Sequence, residues 1–237
     1  EVIEEAARRH PAELEGAICR GESLVAAGAL ARAKELYGRL VRERGGTAET
    51  YARVSEALLR SRRYEMADEF LTEGTRRHPA DDGLIFARGA VMERLGRLKE
   101  AERLLGKAIR LNPKNAMALN YLGYMLAEQG VRLRDSIGYV KRALELDPKN
   151  PAYLDSLGWV QLRMSLFGPA ERNLRDAVRY DHADPTIREH LGDLLMETGR
   201  AEEAVREWEA ALARGHEDPE RVRKKIASAP GPPKDRK

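Results

Sequence analysis

LNPKNAMALNYLGYML at 111–126, LDPKNPAYLDSLGWVQ at 146–161 and ADPTIREHLGDLLM at 183–196 are three versions of one phrase. Extending their register outward divides the chain into units 14–47, 48–81, 82–115, 116–150, 151–184 and 185–218. Each has 34 residues except 116–150, which carries one more near Val131. A period of this length means that each unit buries a face against its neighbours, with no single central core. The eighth position of successive units reads Gly21, Ser55, Gly89, Gly123, Gly158 and Gly192. The twentieth reads Ala33, Ala67, Ala101, Ser136, Ala170 and Ala204, and the twenty-seventh Leu40, Gly74, Ala108, Ala143, Ala177 and Ala211. Small residues at these places let the two helices of a hairpin, and the next hairpin, approach closely. Gly28, Gly96, Gly130 and Gly199 fall where a first helix should end, and Pro79, Pro113 and Pro148 close their units because proline cannot continue a helix.

Composition agrees. Aromatics make up 5% of the 237 residues, while Ala, Leu, Arg and Glu dominate, and these lose little side-chain freedom in a helix. The net charge of +3 is misleading as a whole. Residues 221–237 hold seven Lys or Arg and one Asp, so the other 220 residues, with 35 basic and 38 acidic side chains, carry −3. The high isoelectric point therefore belongs to the tail, and no basic nucleic-acid face is implied. No apolar run approaches the ~20 residues that span a bilayer. Cys19 stands alone, so there is no internal disulfide, and five scattered His offer no zinc set.

The 34-residue period and its Leu-Gly, aromatic, Ala and Pro places resemble the tetratricopeptide repeat family. The resemblance implies an all-α fold: a right-handed superhelical solenoid of antiparallel helix hairpins whose first helices line a concave wall. Some positions depart from the family pattern. Arg88 and Arg188 stand where it has a large apolar residue, Gln161 replaces an aromatic, and His182 and His216 replace the closing Pro; each predicts a looser or more solvated joint. Residues 1–13 read as the second half of a preceding repeat, with Pro11 in the closing place. Pro219 to about Ala227 predicts a short capping helix with Val222 and Ile226 on one face, and 229–237 a disordered basic tail.

Positions two, five, nine, twelve and thirteen of each first helix lie opposite its packed face. They carry Phe86, Arg94, Asn120, Tyr124, Asp155, Trp159, Arg163, Glu189, Asp193 and Glu197, which are the candidate partner-binding residues. Phe86, Tyr124 and Trp159 are large aromatics at places that need not be core, interleaved with amide, carboxylate and guanidinium groups that suit capture of a peptide or helix. They also fit plain packing against the next hairpin. Glu189, Asp193 and Glu197 predict an acidic end to the groove that favours a basic partner segment. The carboxylate clamp of chaperone-binding family members needs Lys and Asn pairs; Asn120 is present without the Lys partners.

Nothing reads as a catalytic constellation, a metal set, a cofactor motif or a small-molecule substrate site. The carboxylates lie on solvated helical faces. Cys19 falls in register inside a first helix and reads as a packed thiol, and His182 and His190 as surface or joint residues. NYLGYMLAEQGVRL, AYLDSLGWVQLR and DPTIREHLGDLLMETGR, spanning about 110–215, further resemble bacterial exported tetratricopeptide proteins. Some of these are outer-membrane lipoproteins that act as adaptors for a periplasmic carboxyl-terminal-processing protease. That resemblance implies a scaffold for a protein or peptide partner, in the periplasm or anchored to the outer membrane, with the cytoplasm left open. The alternatives are the repeat region of a larger enzyme such as a glycosyltransferase, end-to-end self-assembly, and nucleic-acid binding through the tail.

Overall fold

The described helices follow one another with only short turns between them. The computed structural model describes residues 11–230, and among these all regular structure is helical. The helices are α1 Pro11–Ala26, α2 Leu30–Glu43, α3 Ala48–Arg60, α4 Tyr64–Arg77, α5 Asp82–Arg94, α6 Leu98–Leu111 and α7 Ala116–Glu128. They continue as α8 Leu133–Leu146, α9 Pro151–Arg163, α10 Phe167–Tyr180, α11 Pro185–Glu197, α12 Ala201–Ala213 and α13 Pro219–Ser228. The reading of 1–13 as the end of a preceding repeat lies outside the described residues except at 11–13, where α1 already begins at Pro11, and that of 229–237 as a disordered tail lies outside them from 231 onward.

Local chemistry sets the helix starts. Asp81 accepts from Leu84 N at 2.8 Å, Asn115 from Ala118 N at 2.8 Å, Asn150 from Ala152 N at 3.1 Å and Asp184 from Thr186 N at 2.7 Å. Each satisfies an amide that the first turn leaves without a helical partner. The turns between the helices of a hairpin are set by backbone sign: Gly28, Gly96, Gly130 and Gly199 have φ of 74°, 73°, 67° and 78°. Units two and five have no glycine there, yet Arg62 (φ 55°) and Ser165 (φ 58°) adopt the same left-handed conformation. The hairpin geometry therefore overrides the local preference of those two residues.

The chain divides inside α7 into two compact units, Glu1–Ala118 and Leu119–Lys237. In each, the eighth-position glycines are notches for a large side chain sixteen or seventeen residues on. A Cβ on Gly89 would lie 3.0 Å from Leu105 Cγ in the first unit. In the second, a Cβ on Gly158 would meet Leu174 Cγ at 2.6 Å, and one on Gly192 would meet Trp208 Cδ1 at 2.5 Å. The core of the second unit joins Leu162, Leu174, Leu191, Leu195 and Trp208 to Val222 of α13, with Trp159 and Ile226 packed at its edge.

Several joints differ from the expectation of looseness. Arg88 Nε donates to Asp68 Oδ1 at 2.9 Å, and Arg188 donates to Glu207 Oε2 at 2.7 Å and to His182 O at 3.2 Å. Gln161 is buried and accepts from Asn173 Nδ2 at 2.7 Å. His216 is buried too. These polar side chains have partners in reach, so the joints leave none of them buried and unpaired. Cys19 is exposed and is not a packed thiol, since its helical position turns outward.

Candidate functional site

The second unit gathers most of the candidate residues around one imidazole. His190 projects from α11 and is 4% exposed, which corrects its assignment to a surface or joint. Its Nδ1–H donates to Asp155 of α9, 2.9 Å from both carboxylate oxygens. Trp159, one turn after Asp155, stacks on the imidazole with centroids 4.3 Å apart and planes at 23°. The Tyr124 ring of α7 lies 6.0 Å from the same imidazole, and the Arg163 guanidinium sits 5.9 Å from the Trp159 ring centroid. Burial pushes the His190 pKa down, but the Asp155 charge and hydrogen bond, with Asp193 and Glu189 beyond, outweigh it and raise the value. Burial, with Glu128, Asp155 and Glu189 nearby, raises that of Tyr124 despite the Arg221 charge.

The cluster is thus a rigid, half-buried aromatic platform. Stacking and the Asp155 bond leave the Trp159 and His190 rings little rotamer freedom, so a ligand would not have to order them. Two polar atoms of the cluster, Trp159 Nε1 and Asn120 Oδ1, are shielded from solvent and have no hydrogen-bond partner among the described residues. Phe86 and Arg94 belong to α5 in the first unit, where Phe86 is half-buried and Arg94 is exposed with Glu93 at 3.7 Å.

The acidic end differs most from its sequence reading. Glu197 is exposed, but Glu189 is 1% exposed and Asp193 is half-buried. Both are engaged by α13, the helix that follows the last hairpin. Arg221 donates to Glu189 Oε2 at 2.6 Å, Lys225 Nζ lies 2.7 Å from Glu189 Oε1, and the same ammonium is 2.6 Å from Asp193 Oδ2. His216 Nδ1 accepts from Asp218 N at 2.9 Å, leaving Nε2–H to face Glu189 Oε2 at 2.8 Å. Trp208 Nε1 adds a bond to Asp193 Oδ1 at 3.0 Å. Burial alone would raise the Glu189 pKa, but the bond and charge of Lys225, then Arg221 and His216, hold it below the ordinary range. Asp193 goes the other way: its burial outweighs Lys225. The expected open acidic wall is therefore, at Glu189 and Asp193, a neutralised one.

Elsewhere, a groove of about 620 Å³ on the first unit runs between α2 and α4, with Val41, Tyr51 and Phe70 at its base. Its rim is charge-paired, by Lys34 with Glu69 and by Glu73 with Arg76 and Arg77. Among the described residues no three His, Cys, Asp or Glu are grouped to hold a metal ion, and no helix is long and apolar enough to cross a membrane.

The tetratricopeptide repeat model matches residues 86–151 and 156–220, more than half of the chain. The chain belongs to the tetratricopeptide repeat family. It is 32% identical over 145 residues to the TPR repeat-containing protein PA4667 of Pseudomonas aeruginosa, covering 61% of this chain and 24% of that one. The chain therefore spans about a quarter of that relative's length. Among solved structures, TTC0263, a thermophilic TPR protein of Thermus thermophilus, superposes with a TM-score of 0.67 at 21% identity, over 77% of this chain and 98% of that one. A chain of the APC/C hetero-tetramer Cut9–Hcn1 superposes with a TM-score of 0.75 at 14% identity, over 97% of this chain and 45% of that one. At these identities the likeness is one of fold. TPR arrays are in general protein-interaction scaffolds, and that is the coarse function the family suggests.

Proposed function

We propose that the chain is the partner-binding array of a scaffold protein. It holds a peptide or helix of another protein on the first-helix face of its second unit, along Asn120, Tyr124, Asp155, Trp159 and Arg163. The observation that carries this reading is the ordered Trp159–His190 stack, flanked by Tyr124 and Arg163. Preorganised aromatic and Arg side chains are the usual anchors of protein interfaces. The finer role is that of an adaptor in the bacterial cell envelope, with a carboxyl-terminal-processing protease as its partner. The phrases within 110–215 that resemble such adaptors are what suggests it.

The test is a binding titration of the purified chain against such a protease from the same organism, by interferometry. Trp159→Ala is expected to weaken binding by about 2 kcal/mol, close to thirty-fold, and the exposed Arg163→Glu by several-fold. Helical circular dichroism reports whether each variant stays folded. A folded pair of variants that binds at full affinity would dispose of this face as the site. An unmodified chain that ignores the protease would dispose of the adaptor role alone.

A further inference from the structure

The first-helix face of the second unit is already partly filled by the chain itself. Both cationic partners of Glu189 are one turn apart on α13: Arg221 reaches Glu189, and Lys225 bridges Glu189 and Asp193. The Arg221 charge also extends to Tyr124, where it partly offsets the surrounding carboxylates. We infer that α13 is an internal ligand. Glu189 and Asp193, with Tyr124 beside them, form a subsite for a helical segment that presents two cations one turn apart, and a partner's basic helix binds there by displacing α13. This deepens the reading above and rests on it, because it names the chemistry of the partner at one end of the same face.

Three observations support exchange over a permanent cap. First, α13 is weakly held: it has ten residues, of which Val222 alone is fully buried, with Ile226 packed at the core edge. A helix that short has little stability of its own. Its Arg221 side chain is 53% exposed, so that ion pair is open to screening by salt. Second, Glu189 is a poor choice for a static joint. A buried carboxylate that needs two cations and an imidazole adds less stability than an apolar residue of the same size, and its best-attested use is to fix partner and register. Third, Glu189 and Asp193 occupy the same first-helix positions, five and nine, that carry Asp155 and Trp159 in the preceding repeat.

The experiment uses a fluorescent peptide with the sequence of residues 217–230, EDPERVRKKIASAP, as the basic-helix probe, read by anisotropy against the full chain. Arg221→Glu with Lys225→Glu repels α13 from Glu189 and Asp193, and this variant is expected to bind the probe at least ten-fold more tightly than the unmodified chain. Adding Glu189→Gln and Asp193→Asn is expected to abolish that gain, and raising salt to reduce it. Equal binding by the unmodified and repelled chains, or binding that survives loss of both carboxylates, overturns the inference. So does a repelled variant that becomes a dimer without probe, since a second copy would then be the occupant. Should the repelled variant not fold, hydrogen exchange of the unmodified chain decides: excess probe should deprotect the amides of 221–226, and unchanged protection refutes exchange. Trp159 plays no part in the assay, so displacement can fail while the aromatic platform still binds a partner.

Discussion

Ser165 offers a clean measure of what the repeat geometry imposes on the chain. It ends the turn between α9, which carries Asp155, Trp159 and Arg163, and α10, with φ at 58° and its amide bonded to Leu162 O at 2.8 Å. The left-handed conformation costs a residue with a Cβ about 1–2 kcal/mol, and glycine almost nothing. Glycine in turn loses about 0.4–1 kcal/mol more unfolded-chain entropy on folding. Ser165→Gly should therefore stabilise the hairpin by roughly 0.5–1 kcal/mol, the difference between those two effects. The reciprocal change is Gly96→Ala at the matching turn in the first unit. A Cβ there would meet nothing within 4 Å, so backbone strain less the same entropy offset should destabilise by about 0.5–1 kcal/mol. Native-state hydrogen exchange of the amides flanking each turn is the suitable assay, because repeat arrays need not unfold as one unit. A Ser165→Gly chain that exchanges faster than the parent, or a Gly96→Ala chain that exchanges no faster, would refute this view of the turns.

Two further outcomes follow from packing and charge. Gly123→Ala should cost about 1–3 kcal/mol despite alanine's better helix propensity, because its Cβ would lie 2.6 Å from Val140 Cγ2 and 2.9 Å from the Ser136 carbonyl oxygen; thermal melts followed at 222 nm read it. The raised His190 pKa means that its interaction with Asp155 contributes stability fully present below the unfolded value near 6.5 and lost as pH rises through the folded value. The His190 ring resonances should accordingly titrate with a midpoint above 6.5, falling in Asp155→Asn; a midpoint below 6.5 in the parent contradicts the pairing.

The repeat was legible because its signal is distributed. Ala170, Gly158 and Ala177 each carry little information, but small residues recur at these places in nearly every unit and the packing uses them. The left-handed Arg62 and Ser165 were hidden for the converse reason: a turn enforced by flanking hairpins needs no glycine to betray it. The site was partly legible. Helical phase places Asp155 and Trp159 on one face, but phase does not say that His190 will fold in between them, since its partner Asp155 is 35 residues away. Nor does it say that Arg221 and Lys225 will neutralise carboxylates 32 residues earlier. One sign was available. Val222 and Ile226 give α13 an apolar stripe, and Arg221 and Lys225 immediately precede them at the same spacing, so both cations flank the packed face.

The most direct test of partner binding on the second unit is site-specific photo-crosslinking in the organism that makes the protein. Benzoylphenylalanine replaces Arg163 on α9, or Lys141 on the exposed side of α8. The expected result is a covalent adduct with a distinct protein from position 163, absent from position 141 and lost when Trp159→Ala is added. An adduct that forms equally from position 141, or that survives Trp159→Ala in a folded chain, would contradict binding on this face.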